Sequence, residues 1–394
     1  MNDRGDTKPA ADALVERCRQ AAWALLKKNL GHHGILAATP TRRAQSKTYD
    51  AIFARDAGVC ALAMARSGDP VLVEGACSSL RTLAQHQAAN GQIPKFVQPQ
   101  GRGADFWYVG CIDATLWWLI AVHHLGRLVP NASLASELRE AVGRALHWLR
   151  CQEHPWLQLL TQNEASDWAD IMPRSGFVLY SNALWYYVKR LYAVPGVDET
   201  RQHFNHLFFP FSGEHADYRR LRLLTHFVRR RARERDLYLS FVNFSFWGEE
   251  GDVFGNVLAV LLGLAGDARA HGIMHKLMSA QIEHPMPVRV TLVPIEPYSP
   301  LWRTYMGRHR QNMVYQYHNG GCWPMVGGFF VMALAALGER RRGEQALAGL
   351  AAANGVDFIE WFHGLTGEPM GMVGQSWNAA AFLLADASLH EKVF

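Results

Sequence analysis

Six carboxyl side chains stand where they could do chemistry: Asp56, Asp113, Asp167, Asp170, Glu360 and Glu368. Most fall in short stretches rich in rings, namely Phe53-Ala54-Arg55-Asp56, Phe106-Trp107-Tyr108-Val109-Gly110-Cys111-Ile112-Asp113, Asp167-Trp168-Ala169-Asp170 and Ile359-Glu360-Trp361-Phe362-His363-Gly364. Three further stretches add amides and indoles: one from Ser181 through Asn182 to Tyr186, one from Tyr317 through His318, Asn319 and Trp323 to Pro324, and Gln375-Ser376-Trp377-Asn378. Rings beside carboxylates and amides suit a sugar, whose C–H faces stack on aromatics while its hydroxyls need fixed polar partners. Candidate sugar contacts are therefore Arg55, Asp56, Trp107, Trp117, Asp167, Asp170, Asn182, His318, Asn319, Trp323, Gln375 and Trp377. Cleaving a glycosidic bond takes one carboxylic acid on the leaving oxygen and a second carboxylate to activate water or attack carbon. Asp113, flanked in sequence by Trp107, Trp117 and Trp118, is expected in an apolar shell that would keep it protonated. Glu360 is the expected second group. Nothing local decides which is acid and which is base.

An Asp just before a helix is also the commonest N-cap, worth about 1 kcal/mol. That would account for Asp56, Asp113 or Asp252 singly. It accounts poorly for the same aromatic and carboxylate pairing at several successive helix mouths.

Those mouths belong to a chain that reads as helical almost throughout. Apolar spacing and stop signals predict helices over Ala13 to Lys28, Asp56 to Gly68, Asp69-Pro70 to about Gln87, from Asp113, and over Ala135 to Arg150. Others follow Ser181, span Asp217 to Asp236, start near Asp252, run from Asp267 to Ser279, and begin at Trp323-Pro324, Glu339 and Gln375. These twelve alternate between apolar runs such as Val257 to Leu262 and amphipathic ones such as Leu138 to Arg150. An inner ring that is apolar all round and an outer ring with a wet face make an all-α (α/α)6 barrel, a six-hairpin toroid. No Gly-, Ser- or Pro-rich linker divides residues 1–394, so one domain with a polar N-terminal tail of about ten residues is expected. With alternating helix direction, the inner N-termini open at one end and bring the ring-rich stretches to one cavity.

Composition narrows the class. Hydrophobic residues make up 49% and charged residues 19%, a globular balance. No apolar run reaches the roughly 18 residues of a membrane span, and the polar start carries no secretory pattern, so a cytoplasmic protein off the membrane is expected. Six scattered cysteines give no metal spacing and read as reduced core thiols; no metal or other cofactor is expected. The net charge of +5 comes largely from Arg219 to Arg235, with eight arginines in seventeen positions. A solvated helix face or a subunit contact, leaving room for a homo-oligomer, explains this run better than nucleic-acid binding. HExxH, Walker A, GxSxG and strand-borne GxGxxG patterns are lacking.

The motifs Ile112-Asp113-Ala114-Thr115-Leu116-Trp117-Trp118, Asp167-Trp168-Ala169-Asp170, Tyr317 to Pro324, Gly251 to Asn256, and Glu360 to Gly367 leading to Gln375-Ser376-Trp377 resemble a bacterial group related to the neutral/alkaline invertases. That group is often described as amylo-α-1,6-glucosidase-like. The resemblance runs from about Phe53 to Leu384. It implies an (α/α)6 barrel and an inverting mechanism, with Asp113 as general acid and Glu360 as general base, about 6.5–9.5 Å apart. It also matches Arg55, Asp56, Asp170, His318 and Trp323 to sugar-contacting positions. Sucrose is the expected substrate, since no extra carbohydrate-binding segment is visible; an α-1,6-glucan is the alternative. Readings from other classes are a sugar epimerase using His318 and His363, a phosphorylase dispensing with Glu360, and a non-catalytic sugar-binding protein.

Overall fold

The computed structural model describes residues 7–98, 103–107, 110–129, 134–212 and 219–394. Residues 1–6 of the expected tail, Tyr108 and Val109 of the lead-in to Asp113, and Asp217 lie outside them. The first helix already starts at Thr7, so the expected ten-residue tail is partly helix.

In chain order the helices are α1 (Thr7–Asn29), α2 (Arg42–Ser46), α3 (Ala54–Met64), α4 (Pro70–Gln85), α5 (Ile112–Leu128), α6 (Leu134–Glu137), α7 (Arg139–Gln152) and α8 (Leu179–Tyr192). They continue as α9 (Val197–Phe208), α10 (Arg219–Arg231), α11 (Val253–Leu261), α12 (Asp267–Ser279), the 3₁₀ helix η1 (Thr304–Arg310), α13 (Pro324–Ala336), α14 (Arg340–Asn354) and α15 (Ser376–Ser388). Six of them close a ring in which each packs on the next: α3 on α5, α5 on α8, α8 on α11, α11 on α13, α13 on α15, and α15 back on α3. Each carries an outer partner: α4, α7, α9, α12, α14 and, closing the circle from the other end of the chain, α1. This is the expected (α/α)6 barrel.

The two rings differ as their sequences demand. Every residue of α3 is buried, whereas α7 buries only Ala141, Ala145 and Leu149, one stripe at a spacing of four. Small residues let inner helices approach closely: a Cβ on Gly58 would lie 2.9 Å from the Trp117 carbonyl oxygen, and one on Gly328 2.6 Å from that of Ala381. The twelve barrel helices nevertheless differ from the expected set. The basic segment, α10, stands outside the ring, and α9 takes its place. The apolar residues of α9 are spaced for a helix (Thr200, Phe204, Leu207 and Phe208 are buried), but Pro195-Gly196 and a polar composition mask the signal.

Short strands line the cavity end. β1 (Leu30–Gly31) pairs with β2 (Gly34–Ile35); β3 (Ile52–Phe53), β4 (Phe96–Gln98) and β5 (Gly103–Asp105) form one antiparallel sheet, and β6 (Thr161–Gln162), β7 (Gly176–Val178) and β8 (Phe241–Val242) another. They tie down the loops that enter inner helices. No helix of the described residues is long and apolar enough to cross a membrane. The cysteines are free thiols, and all are buried except Cys151, which is exposed rather than in the core.

Candidate active site

A cavity of about 550 Å³ opens at the N-terminal ends of three inner helices, α3, α13 and α15; α5, α8 and α11 contribute no residue to its wall. Its walls are drawn from loops distant in sequence: Arg55 and Asp56 from the first turn of α3, Asp170 from the loop between β6 and β7, His318 and Trp323 from the approach to α13, Glu360 from the loop after α14, and Trp377 from the start of α15. Trp107 completes the set of expected site residues that line it. Neither Asp56 nor Asp113 is an N-cap. The caps are Phe53 and Cys111, and both carboxyls sit inside the first turn, beyond the cap.

Glu360 is 5% exposed, and each of its oxygens accepts a hydrogen bond: Oε1 from the Tyr49 hydroxyl at 2.6 Å, Oε2 from the Met372 N–H at 3.0 Å. Its own N–H donates to the Met372 carbonyl, and Gly371 leaves no room for a side chain, since a Cβ there would lie 2.4 Å from Cβ of Glu360. Burial raises the Glu360 carboxyl to about 7, with Asp56 and Asp170 adding to the rise against the two hydrogen bonds.

Asp170 has the opposite environment. Burial disfavours its charge, but Lys95, His318 and Arg55 outweigh that and hold the carboxyl down at about 2. The Lys95 ammonium donates to Oδ1 at 2.9 Å and the Tyr317 hydroxyl to Oδ2 at 2.8 Å. Asp56, the third carboxyl in the wall, is pushed by burial to about 6, with Arg55 Nε at 3.5 Å from its Oδ2.

The aromatic part of the wall holds groups that await partners. His318 stacks on Trp323 at 4.7 Å and 7°, and meets Trp168 edge-on at 4.7 Å. It is 1% exposed, burial keeps it neutral by lowering it to about 3, and neither ring nitrogen has a hydrogen-bond partner. The indole N–H groups of Trp168 and Trp377 are unpartnered too. Buried donors of this kind normally find a partner, and all three residues line the cavity.

The backbone is strained at the same place. Thr48, Trp107, Asp170, His309, Arg310 and Tyr317 all line the cavity, and all adopt φ between 45° and 66° without being glycine. The loop before α13 is held in this shape by Asn319, whose side chain accepts from the Ile295 N–H at 2.7 Å and donates to the Ile295 and Asn312 carbonyls, while Asn312 Oδ1 accepts from the His318 N–H.

Six expected site residues lie outside the cavity wall. Asp113 is fully buried beneath it: Arg55 Nη1 at 3.3 Å and the Tyr180 hydroxyl at 3.0 Å meet one oxygen, and the Cys111 thiol at 2.9 Å the other. Its surroundings are polar rather than the expected apolar shell. Trp118 donates away to the Leu80 carbonyl, and Trp117 packs in the core against Phe329 and donates to the Tyr180 hydroxyl. Asp167 accepts from Gln162 and the Ala169 N–H; Asn182 brackets Leu160 and donates to Val178; Asn319 is the loop staple described above; Gln375 is the buried N-cap of α15. All of these support the wall except Gln375, whose side-chain amide has no hydrogen-bond partner. Conversely, Tyr49, Lys95 and Tyr317 contact the carboxyls and escape the sequence reading. Tyr317 adjoins His318, and Tyr49 forms with Asp50 an aromatic and carboxylate pair just before Phe53, signals that could have found both, whereas Lys95 stands beside Phe96 with no carboxylate near it in sequence.

A family model described as alkaline and neutral invertase matches residues 242–392. Neutral/alkaline invertase 1, mitochondrial, of Oryza sativa subsp. japonica is 29% identical over 136 residues, 33% of this chain and 21% of that protein. Probable alkaline/neutral invertase D of Arabidopsis thaliana is 28% identical over 144 residues, 35% of this chain and 26% of its own length. The chain thus matches about a fifth to a quarter of these curated relatives. Among solved structures, a GH63 mannosylglycerate hydrolase from Thermus thermophilus in complex with Tris and D-glycerate superposes with a TM-score of 0.68 at 15% identity, over 93% of this chain and 99% of that one. A structure described as a wild-type glycosidase gives 0.62 at 14% identity, over 97% and 98%. The structures share the fold. Together with the invertase matches they support a glycoside hydrolase, the class expected from the residues.

Proposed function

We propose that the chain is an inverting glycoside hydrolase of small α-glucosides in which Asp170 and Glu360 are the working pair, Glu360 as general acid and Asp170 as general base. The observation that carries this is that Asp170 and Glu360 face one ring-lined cavity with carboxyl affinities pushed far apart, whereas Asp113 lies sealed under Arg55. An acid that works near neutral pH needs an affinity near 7 so that it still carries its proton, and Glu360, raised to about 7, fits that role. Lys95 holds Asp170 ionised, so Asp170 takes a proton from the attacking water while Glu360 gives its own to the leaving glycosidic oxygen, and both reset by exchange with solvent. Asp113 becomes a positioning residue that fixes Arg55, which in turn reaches Asp56 and lies 5.2 Å from the Trp377 ring centroid.

A cavity of about 550 Å³ suits a disaccharide-sized ligand better than a glucan chain, which favours the invertase-like substrate class over debranching. The paired-histidine epimerase loses its second histidine: His363 does not line the cavity, and its Nδ1 accepts from the Leu365 and Thr366 N–H groups. The test is release of reducing sugar from sucrose, isomaltose and a branched dextrin, with the anomer formed read by NMR. Inverted product, abolished in Glu360→Gln and Asp170→Asn, supports the proposal; retained anomer or an indifferent Asp170→Asn sinks it.

A further inference from the structure

We infer that the leaving half of the substrate carries a negative charge, a carboxylate or a phosphate, held by a basic rim formed by Arg43, Lys47 and Arg310. This rests on the hydrolase reading above and deepens it. The closed end of the cavity, with Arg55, Asp56, His318, Trp323 and Trp377, has the buried rings and free donors for one terminal sugar. Whatever that sugar is bonded to must extend toward the mouth. There the wall changes character: Arg43 and Lys47 come from α2 and its C-cap, Arg310 from the end of η1, and all three are exposed.

Among the described residues these three cations have no ion pair and no side-chain hydrogen bond. Surface arginines elsewhere are commonly engaged: Arg19 with Asp386, Arg81 with Glu137, Arg144 with Glu140 and Arg340 with Glu344. None of the cavity's carboxyls pairs with the rim: Asp170 is bound by Lys95, Asp56 shares Arg55 with Asp113, and Glu360 accepts from Tyr49. Both rim loops also hold left-handed backbone, at Thr48 (66°), His309 (55°) and Arg310 (54°), which fixes where the charges stand. Unpaired cations at the mouth of a cleft attract an anion and set its orientation. A neutral fructose or glucose unit would make no use of them.

Two matched pairs of α-glucosides test this: maltobionate against maltitol, and sucrose phosphorylated on its fructose half against sucrose. The expected result is a kcat/KM about tenfold higher for the anionic member at low salt. That preference should shrink as salt is raised and collapse in the triple variant Arg43→Gln, Lys47→Gln, Arg310→Gln. Preference in only one pair assigns the carboxylate or the phosphate. Equal rates within both pairs, or a preference that survives in the folded triple variant, overturn the inference. If no glycoside is cleaved, calorimetry with gluconate and sorbitol separates the two readings. Gluconate bound and sorbitol ignored would leave the rim standing while the hydrolase fails; neither bound, or both alike, would overturn the rim as well.

Discussion

At the scale of single residues, the decisive contrast is between two aspartates that the sequence presents in similar company. Asp113 and Asp170 both stand beside tryptophans, yet one is sealed under an arginine and the other opens on the cavity. Removing a general acid or base costs about 10²–10⁴-fold in rate. Asp170→Asn and Glu360→Gln should each reduce turnover by at least that much with helical circular dichroism unchanged. Asp113→Asn should retain measurable turnover and raise KM, because Arg55 loses its anchor rather than the reaction its proton. A dead Asp113→Asn beside an active Asp170→Asn would move the role of Asp170 to Asp113. The pH profile tests the roles directly. An acid must carry its proton, and Glu360 is raised to about 7, so it is deprotonated and inactive above that value, while Asp170, held at about 2, stays ionised. Activity should therefore fall as pH rises through about 7, and Glu360→Gln should abolish it. A profile that instead climbs through 7 would sink this assignment and make Glu360 the base beside an acid of higher affinity.

At the scale of elements, the inner helices were legible because their apolar character runs all round, and the ring-rich stretches marked which of their ends face the cavity. The supports were not separable from the contacts, since Asn182 and Asn319 are amides at the same mouths as Arg55 and His318. Only the loop path decides whether such a group turns to the cavity or to a backbone carbonyl. Lys95 reaches the site from a segment whose composition predicts loop and nothing more. The α9 and α10 exchange has a similar cause: the basic segment shows the stronger amphipathic pattern, with Leu221, Thr225 and Val228 buried and Leu223 and Phe227 exposed, yet it packs outside the barrel. Two variants check the element-level account. Gly328→Ala places a methyl against α15 where no space exists, and overpacking of this kind costs about 1–3 kcal/mol; urea denaturation should show it. Asn319→Ala leaves the Ile295 N–H and two carbonyls without their partner, a loss of about 1–3 kcal/mol. It should also lower turnover, since the loop it staples carries His318; unchanged kinetics would mean the loop keeps its shape unaided.

For the whole molecule, the ring closes where the chain's two ends meet. α1 packs on α15 and α14, buries Cys18, Ala22 and Leu26, and is pinned by Arg19 to Asp386 at 2.6 Å. No cut through such a circle leaves a part with a complete core, because each inner helix needs both neighbours and the first outer helix covers the last inner one. A single folding unit follows as a proposal, in spite of a length that would accommodate two domains. It predicts that melts followed by far-ultraviolet circular dichroism, by tryptophan fluorescence and by residual activity superimpose. Leu26→Ala, far from the cavity, should cost about 2–5 kcal/mol and shift all three curves together. Tryptophan fluorescence reports indoles spread from Trp23 on α1 to Trp377 on α15, residual activity reports the cavity, and circular dichroism reports the helices of the whole ring. Two separated transitions, with only one moved by Leu26→Ala, would mean that α1 and its neighbours fold apart from the rest, and the closed circle would then be packing without cooperativity.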